Sequence, residues 1–192
     1  MIFVLISCAR TQTNITNRNL SSIDSFVIGD SKDVLIICDV VLTVERPVEE
    51  VFAYLIDPDT VPDWQPDIAK QTKITEDPMR VGTRLLNSRK TVFNKNFEYE
   101  REVVKYIPFK TYSFNNLDPS LRFNITYGLE PVKNGTKIKI LGTFLEPKTG
   151  RYRFLPRWIL KYAIKTVFVK HNKLLKRNIE SKYSINVNKW YE

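Results

Sequence analysis

Apolar and polar positions change rhythm three times along this chain. The run DVLIICDVVLTVER (Asp33–Arg46) is dense in β-branched residues and predicts a strand. PVEEVFAYL (Pro47–Leu55) then sets Val48, Val51, Phe52 and Leu55 at helical spacing, with a proline and two acids in the first turn. That is the pattern of a short amphipathic helix. DPDTVPDW leaves room for one more helical turn before Pro66 ends it, IAKQTKITE reads as a strand, and DPMRVG reads as a turn.

From Gly82 to Glu146 the period becomes two. Phe97, Tyr99 and Val103 alternate with Glu98, Glu100 and Glu102. Leu121, Phe123, Ile125, Tyr127 and Leu129 share one face, and Ile138, Ile140 and Phe144 oppose Lys137 and Lys139. Turn residues separate these runs at Asn94–Asn96, Pro108–Lys110, Asp118–Pro119 and Asn134–Gly135. Connections this short predict an antiparallel meander with one face covered and the other wet. The last element, Leu155–Tyr183, has no Gly or Pro after Pro156. At helical spacing it gathers Leu160, Ile164, Val167, Phe168, His171, Leu174 and Leu175 into one arc, with Lys161, Lys165, Lys173, Lys176 and Arg177 mostly opposite.

The predicted fold is therefore α+β: a strand, two short helices, several antiparallel strands, and a long C-terminal helix against the covered face. A curved sheet around such a helix is not filled at every depth, and concave apolar spaces of this kind take small ligands. The domain is expected over residues 34–183, with residues 1–33 a polar, irregular extension and 184–192 a tail. The opening MIFVLISCARTQ lacks the basic start of a secretory signal. It is expected to be a loose extension or the product of a misplaced start codon.

Composition narrows the partners. With 192 residues, 43% of them hydrophobic, the chain can bury one substantial core, and no run approaches the roughly 18 apolar residues of a membrane span. A net charge of +9 suits nucleic acid, an anionic membrane or an anionic ligand. No aromatic RNA-binding signature, Cys/His finger or helix-turn-helix spacing supports nucleic acid. Two distant cysteines make no disulfide framework and point to a reducing, cytoplasmic setting. One histidine and two cysteines do not assemble a usual zinc site, and there is no G-x-S-x-G, P-loop or G-x-G-x-x-G motif. Neither metal nor cofactor is expected. The aspartates Asp57, Asp59, Asp63 and Asp67 are read as turn and capping residues.

Taken in order, VERPVEEVFAYLIDPDTVPDWQPDI, RVGTR, EYEREVVKYIP with KTYSF, YGLEPVKNGTKIKI and the terminal helix resemble the SRPBCC superfamily, within it the polyketide cyclase/dehydrase-like branch. The superfamily includes START and pollen-allergen-like proteins. The resemblance runs from about Val40 to Glu180. It implies a helix-grip fold, β-α-α-β6-α, with a cavity between sheet and long helix. It also implies a hydrophobic or amphipathic small molecule as partner: a lipid, sterol, polyketide or quinone. The polar extension of about thirty residues departs from the family pattern.

Several residues are candidates for that cavity. Trp64, stiffened between Pro62 and Pro66, either seals the edge of the core or rims the cavity mouth. Arg101 interrupts the apolar Phe97–Tyr99–Val103 face; if that face is inward, its guanidinium needs a carboxylate or an anionic ligand, and if the strand is at an edge or bulged, Arg101 is simply exposed. His171, the sole histidine, is either a satisfied core residue or a polar group that orients a ligand or moves a proton. Tyr112, Phe114, Phe123, Tyr127 and Phe144 form an aromatic stripe, part core and part lining, and Tyr99, Ile140, Ile164 and Phe168 complete the expected wall. The basic face of the long helix, with the surrounding run KHNKLLKR (Lys170–Arg177), is either a solvated face or a transient contact with anionic membrane. Ligand binding is the first reading. A metal-free cyclase/dehydrase and a peripheral lipid-transfer protein are the alternatives.

Overall fold

A computed structural model describes residues 33–76, 78–89 and 97–181. The expected extension before residue 33, the turn at 94–96 and the tail at 184–192 lie outside the described residues. The chain runs β1 (Val34–Val44), α1 (Val48–Ile56), a 3-10 turn (Pro58–Thr60), α2 (Val61–Trp64) and β2 (Ile68–Lys73). It continues through β3 (Arg84–Arg89), β4 (Phe97–Ile107), β5 (Thr111–Asn116), β6 (Phe123–Val132) and β7 (Gly135–Leu145). A second 3-10 turn (Arg151–Phe154) leads into α3 (Arg157–Ser181). This is the expected α+β order, β-α-α-β6-α.

All seven strands form one antiparallel sheet in the order β1-β7-β6-β5-β4-β3-β2. Register shifts in the β1/β7, β2/β3 and β4/β5 pairs add local twist and help the sheet curl. Its concave face carries the period-two residues: Val40, Leu42 and Val44 on β1, Tyr112 and Phe114 on β5, Ile125, Tyr127 and Leu129 on β6, and Ile138 and Ile140 on β7, all buried.

α3 lies across this face and buries Leu160, Ile164, Phe168, Leu175 and Ile179. At roughly 1.5–3 kcal/mol per fully buried side chain, its docking is worth as much as the net stability of a typical domain. Three members of the predicted arc are not buried: Val167 is exposed, and His171 and Leu174 are only half-buried. Asn172, which borders the cavity, and Ile179, beyond it, are buried as well.

α1 differs from its expected amphipathic form. Val51, Phe52, Ala53 and Tyr54 are all fully buried. The helix is held inside one end of the sheet's curve, where the Phe52 ring meets Tyr106 and Phe109 at centroid distances of 5.5 and 5.7 Å. Two glycines allow close approaches that no side chain would. Gly135, at φ +138° in the β6–β7 turn, faces the end of β1 so tightly that a Cβ would sit 2.0 Å from the Val44 carbonyl oxygen. Gly142 makes room on β7 for the rings of Phe144 and Phe168.

Candidate functional site

The space between the concave sheet and the first half of α3 is a cavity of about 180 Å³. That is close to the roughly 150 Å³ apolar cavity known to take up benzene. One wall is aromatic. Phe114, Phe123, Phe144 and Phe168 form a chain of ring contacts at 6.4, 5.1 and 6.0 Å, and Tyr127 meets Trp64 edge-on at 6.3 Å. Leu160, Ile164 and Val167 close the helix side.

Of the predicted lining residues, Trp64, Tyr99, Arg101, Phe114, Phe123, Tyr127, Phe144, Ile164, Phe168 and His171 all border the cavity. Ile140 does not. It is buried beside Tyr127 on the neighbouring strand, in the packed part of the core. Alternation along a strand reports the face but not the depth. Tyr112 belongs to the same packed region, stacked on Tyr127 at 6.3 Å. Trp64 meets both expectations, since it is 2% exposed and also borders the cavity.

Two polar groups of different character interrupt the apolar wall. The first centres on Arg101, whose parity on β4 turns it inward, where it is 4% exposed. Its Nη2 donates to Gln65 Oε1 at 2.8 Å and to the Tyr99 hydroxyl at 3.2 Å, and the guanidinium lies 4.6 Å above the Phe114 ring. Among the described residues no carboxylate lies within ion-pair distance of Arg101, and its Nε has no hydrogen-bond partner. Directly across the β4–β5 ladder stands Asn116, 2% exposed. Its amide donates to the Leu121 carbonyl at 2.7 Å while its Oδ1 accepts nothing. The indole N–H of Trp64 is likewise buried and without an acceptor. Arg101, Trp64 and Asn116 thus present two donors and one acceptor without partners among the described residues, each a cost of about 1–3 kcal/mol in the empty fold.

The second group joins three elements. Asp67, just before β2, accepts from Arg89 of β3 at 2.5 Å through Oδ2, and its Oδ1 lies 2.8 Å from His171 Nε2 on α3. Burial by itself would raise the Asp67 carboxyl. The hydrogen bond from His171 and the charges of His171 and Arg89 outweigh it and hold the carboxyl well below the usual carboxylate range. The turn-and-capping reading of the aspartates is right for Asp57, which accepts from the Asp59 amide at 2.9 Å. It is incomplete for Asp67, which is the partner that His171 lacks in the sequence. Burial also raises the Tyr127 phenol, against the opposing charge of Arg101, so its hydroxyl stays protonated at neutral pH.

Some polar wall residues escape pattern reading. Asn116 shares its parity with Tyr112 and Phe114, a signal present in the sequence. Gln65, Arg89 and Asn172 give none. Asn172 sits on the helix arc with its amide bonded back to the Phe168 carbonyl at 2.9 Å.

A helix gripped by a seven-stranded sheet, with a cavity at this position, matches known proteins. A family model described as polyketide cyclase / dehydrase and lipid transport matches residues 38–180. The chain belongs to this family, within the SRPBCC superfamily. Solved structures agree with this SRPBCC assignment at the level of fold. Ara h 8.0201 superposes with a TM-score of 0.57 at 18% identity, covering 76% of this chain and 98% of its own. TTHA0849 from Thermus thermophilus does so at 0.62 and 13%, covering 77% and 99%. The di-domain aromatase/cyclase StfQ from the steffimycin biosynthetic pathway gives 0.58 at 16%, over 77% of this chain and 51% of that one. No curated protein sequence matches the chain. Among the described residues, no helix of this SRPBCC domain is long and apolar enough to cross a membrane.

Proposed function

We propose that the protein binds a compact hydrophobic molecule whose polar end carries an oxygen acceptor, held between sheet and α3 with that end at Arg101. One observation carries this reading: a buried guanidinium with no carboxylate partner, its Nε unpaired, in an otherwise aromatic cavity. The Trp64 indole N–H would share the acceptor, and Asn116 Oδ1 would take a donor on the same molecule. The cavity volume supports a ligand of one or two rings over a long acyl chain. Family membership supports hydrophobic ligands in general.

The test has two parts. Native mass spectrometry of the purified protein identifies any molecule it carries. Calorimetric titration then compares 2-naphthoate with naphthalene, which differ only in the carboxylate. Preference for 2-naphthoate by about tenfold or more is expected, in line with one charge-assisted hydrogen bond. A protein that arrives empty and takes up neither probe would end the binding reading.

The Asp67–His171 contact favours a second reading, proton-transfer catalysis of the cyclase/dehydrase type. With Nε2 held 2.8 Å from the carboxylate, a neutral imidazole carrying its proton on Nε2 would leave Nδ1 as the basic atom. A base so oriented could remove an acidic C–H proton next to a carbonyl, while Arg101 stabilises the charge that develops on the oxygen. Exchange of the α-hydrogens of 2-tetralone for deuterium, followed by NMR, measures this step directly. The wild type should accelerate exchange and His171→Gln should not. Exchange no faster than in buffer would leave only the binding reading.

A further inference from the structure

The outer face of the cavity-walling half of α3 carries side chains that a water-facing helix ordinarily avoids. Trp158 and Tyr162 are each 72% exposed, Phe154 just before the helix is 77% exposed, and Leu155 is 41% exposed. Trp158 and Tyr162 are four residues apart, so they stand one above the other, opposite Leu160 and Ile164, which face the cavity. Single exposed apolar residues are ordinary, but a contiguous aromatic patch with a polar rim marks an interaction surface.

The rim is of one sign. The sequence has no Asp or Glu between Pro147 and Ile179, while it has ten lysines and arginines there. Around the patch, Arg157 is paired with Glu146 at 3.2 Å. Arg153 lies 5.0 Å over the Phe154 ring, and Arg153, Lys161 and Lys165 have no acidic partner among the described residues. Exposed Trp, Tyr and Phe set among unpaired cations match a bilayer interface, where aromatic rings settle at headgroup depth and basic side chains meet anionic lipid. A protein partner of complementary charge would have to supply both an apolar pocket and a wholly acidic rim; an anionic bilayer offers both without further design.

We propose that Phe154, Leu155, Trp158 and Tyr162, rimmed by Arg153, Lys161 and Lys165, form a docking surface for the interface of an anionic lipid bilayer. This surface shares Lys161 and Lys165 with the basic helix face expected from the sequence, but it is centred on exposed aromatics, whereas the Lys170–Arg177 stretch shows no exposed large apolar side chain among the described residues. Its position has a consequence for the cavity. Val167 both borders the cavity and is 40% exposed, on the same helix. By helical geometry Val167 stands opposite Trp158, so docking by this patch would leave α3 between the bilayer and the cavity. The proposal goes beyond the ligand reading and holds whether or not the cavity is loaded.

Cosedimentation of the full-length protein with phosphatidylcholine vesicles, with and without about a third phosphatidylserine, tests it. Binding to the anionic vesicles is expected at low salt, with little to the neutral ones. Phe154→Ser with Trp158→Ser should lower the partition coefficient about tenfold or more while leaving the thermal melt unchanged, because both side chains are exposed. Arg153→Glu with Lys165→Glu should lower it at least as far, and raised salt should weaken the wild type in the same direction. Three results would overturn the proposal: no wild-type binding to anionic vesicles at low salt, serine variants that bind as well as wild type, or light scattering that shows a dimer broken by the serine variants with vesicle binding unchanged. The last would make the patch a contact between copies of the chain.

Discussion

Replacing Arg101 by methionine separates what the guanidinium does for the fold from what it does for a ligand. In the empty protein its energetics nearly cancel. Taking an arginine out of water costs several kcal/mol. Against that stand two hydrogen bonds, to Gln65 and Tyr99, at about 1.5–3 kcal/mol each for a charged donor. The stack on Phe114 adds up to about 2 kcal/mol. Methionine fills similar length with an apolar, adaptable chain and leaves Gln65 Oε1 without its donor, a further loss of about 1–3 kcal/mol. The balance falls within about 1 kcal/mol of zero, so the melting temperature should move by no more than about 4 °C in either direction.

Ligand binding should respond very differently. Removing one partner of a buried, hydrogen-bonded charge pair costs about 2 kcal/mol or more, which is about 30-fold in affinity. Differential scanning calorimetry on wild type and Arg101→Met, with calorimetric titration of 2-naphthoate on both, measures the two effects on the same material. The expected pattern is a nearly unchanged melt beside at least 30-fold weaker binding. A melt lowered by more than about 8 °C with binding intact would refute the reasoning. The guanidinium would then be a structural keystone, and its unpaired Nε would carry no functional meaning.

Other substitutions test the remaining features. Because the folded state holds the Asp67 carboxyl below its ordinary range, its contribution is fully present above about pH 4 and is lost as pH falls through the lowered value. Asp67→Asn should thus be destabilising by about 2 kcal/mol in urea melts near pH 7, with the gap beginning to narrow below about pH 4 and closing only as pH falls through the lowered value; a gap that does not change with pH would mean the carboxylate's charge is not what matters. Gly142→Ala would put a Cβ 2.8 Å from the Phe168 ring and 2.9 Å from the Phe144 ring. It should cost about 1–3 kcal/mol and shrink the cavity, seen as weaker naphthalene uptake; unchanged uptake would place the cavity elsewhere. Gly135→Ala meets backbone rather than movable rings, so it should cost more than Gly142→Ala in parallel thermal melts.

The sheet and long helix are legible in the sequence because burial imposes a period, and that period survives in the letters. Strand parity puts Arg101 on the face of Phe97, Tyr99 and Val103 without saying that the face is inward there, and the helix arc places Ile164, Phe168 and His171 toward the sheet. Depth is not legible: Ile140 and Phe144 share a face on β7, yet only Phe144 reaches the cavity. Contacts between distant elements are not legible either. Asp67, Arg89 and His171 converge from three elements, and nothing local marks any of them as a partner of the others. Trp158 and Tyr162 fall outside the apolar arc of α3, where a period analysis reads them as surface and asks nothing further.

The order of the sheet also shapes how the molecule comes into being. β1 pairs with β7, joining Val34 to Leu145 across on the order of a hundred residues. A loop of that length must close before its contacts give anything back, which places the chain among slow, non-local folders. α3 is the last of the described elements to leave the ribosome, so the concave apolar face stays bare until that helix has emerged. During that interval the surface that later encloses the cavity is the one most open to aggregation and to chaperones.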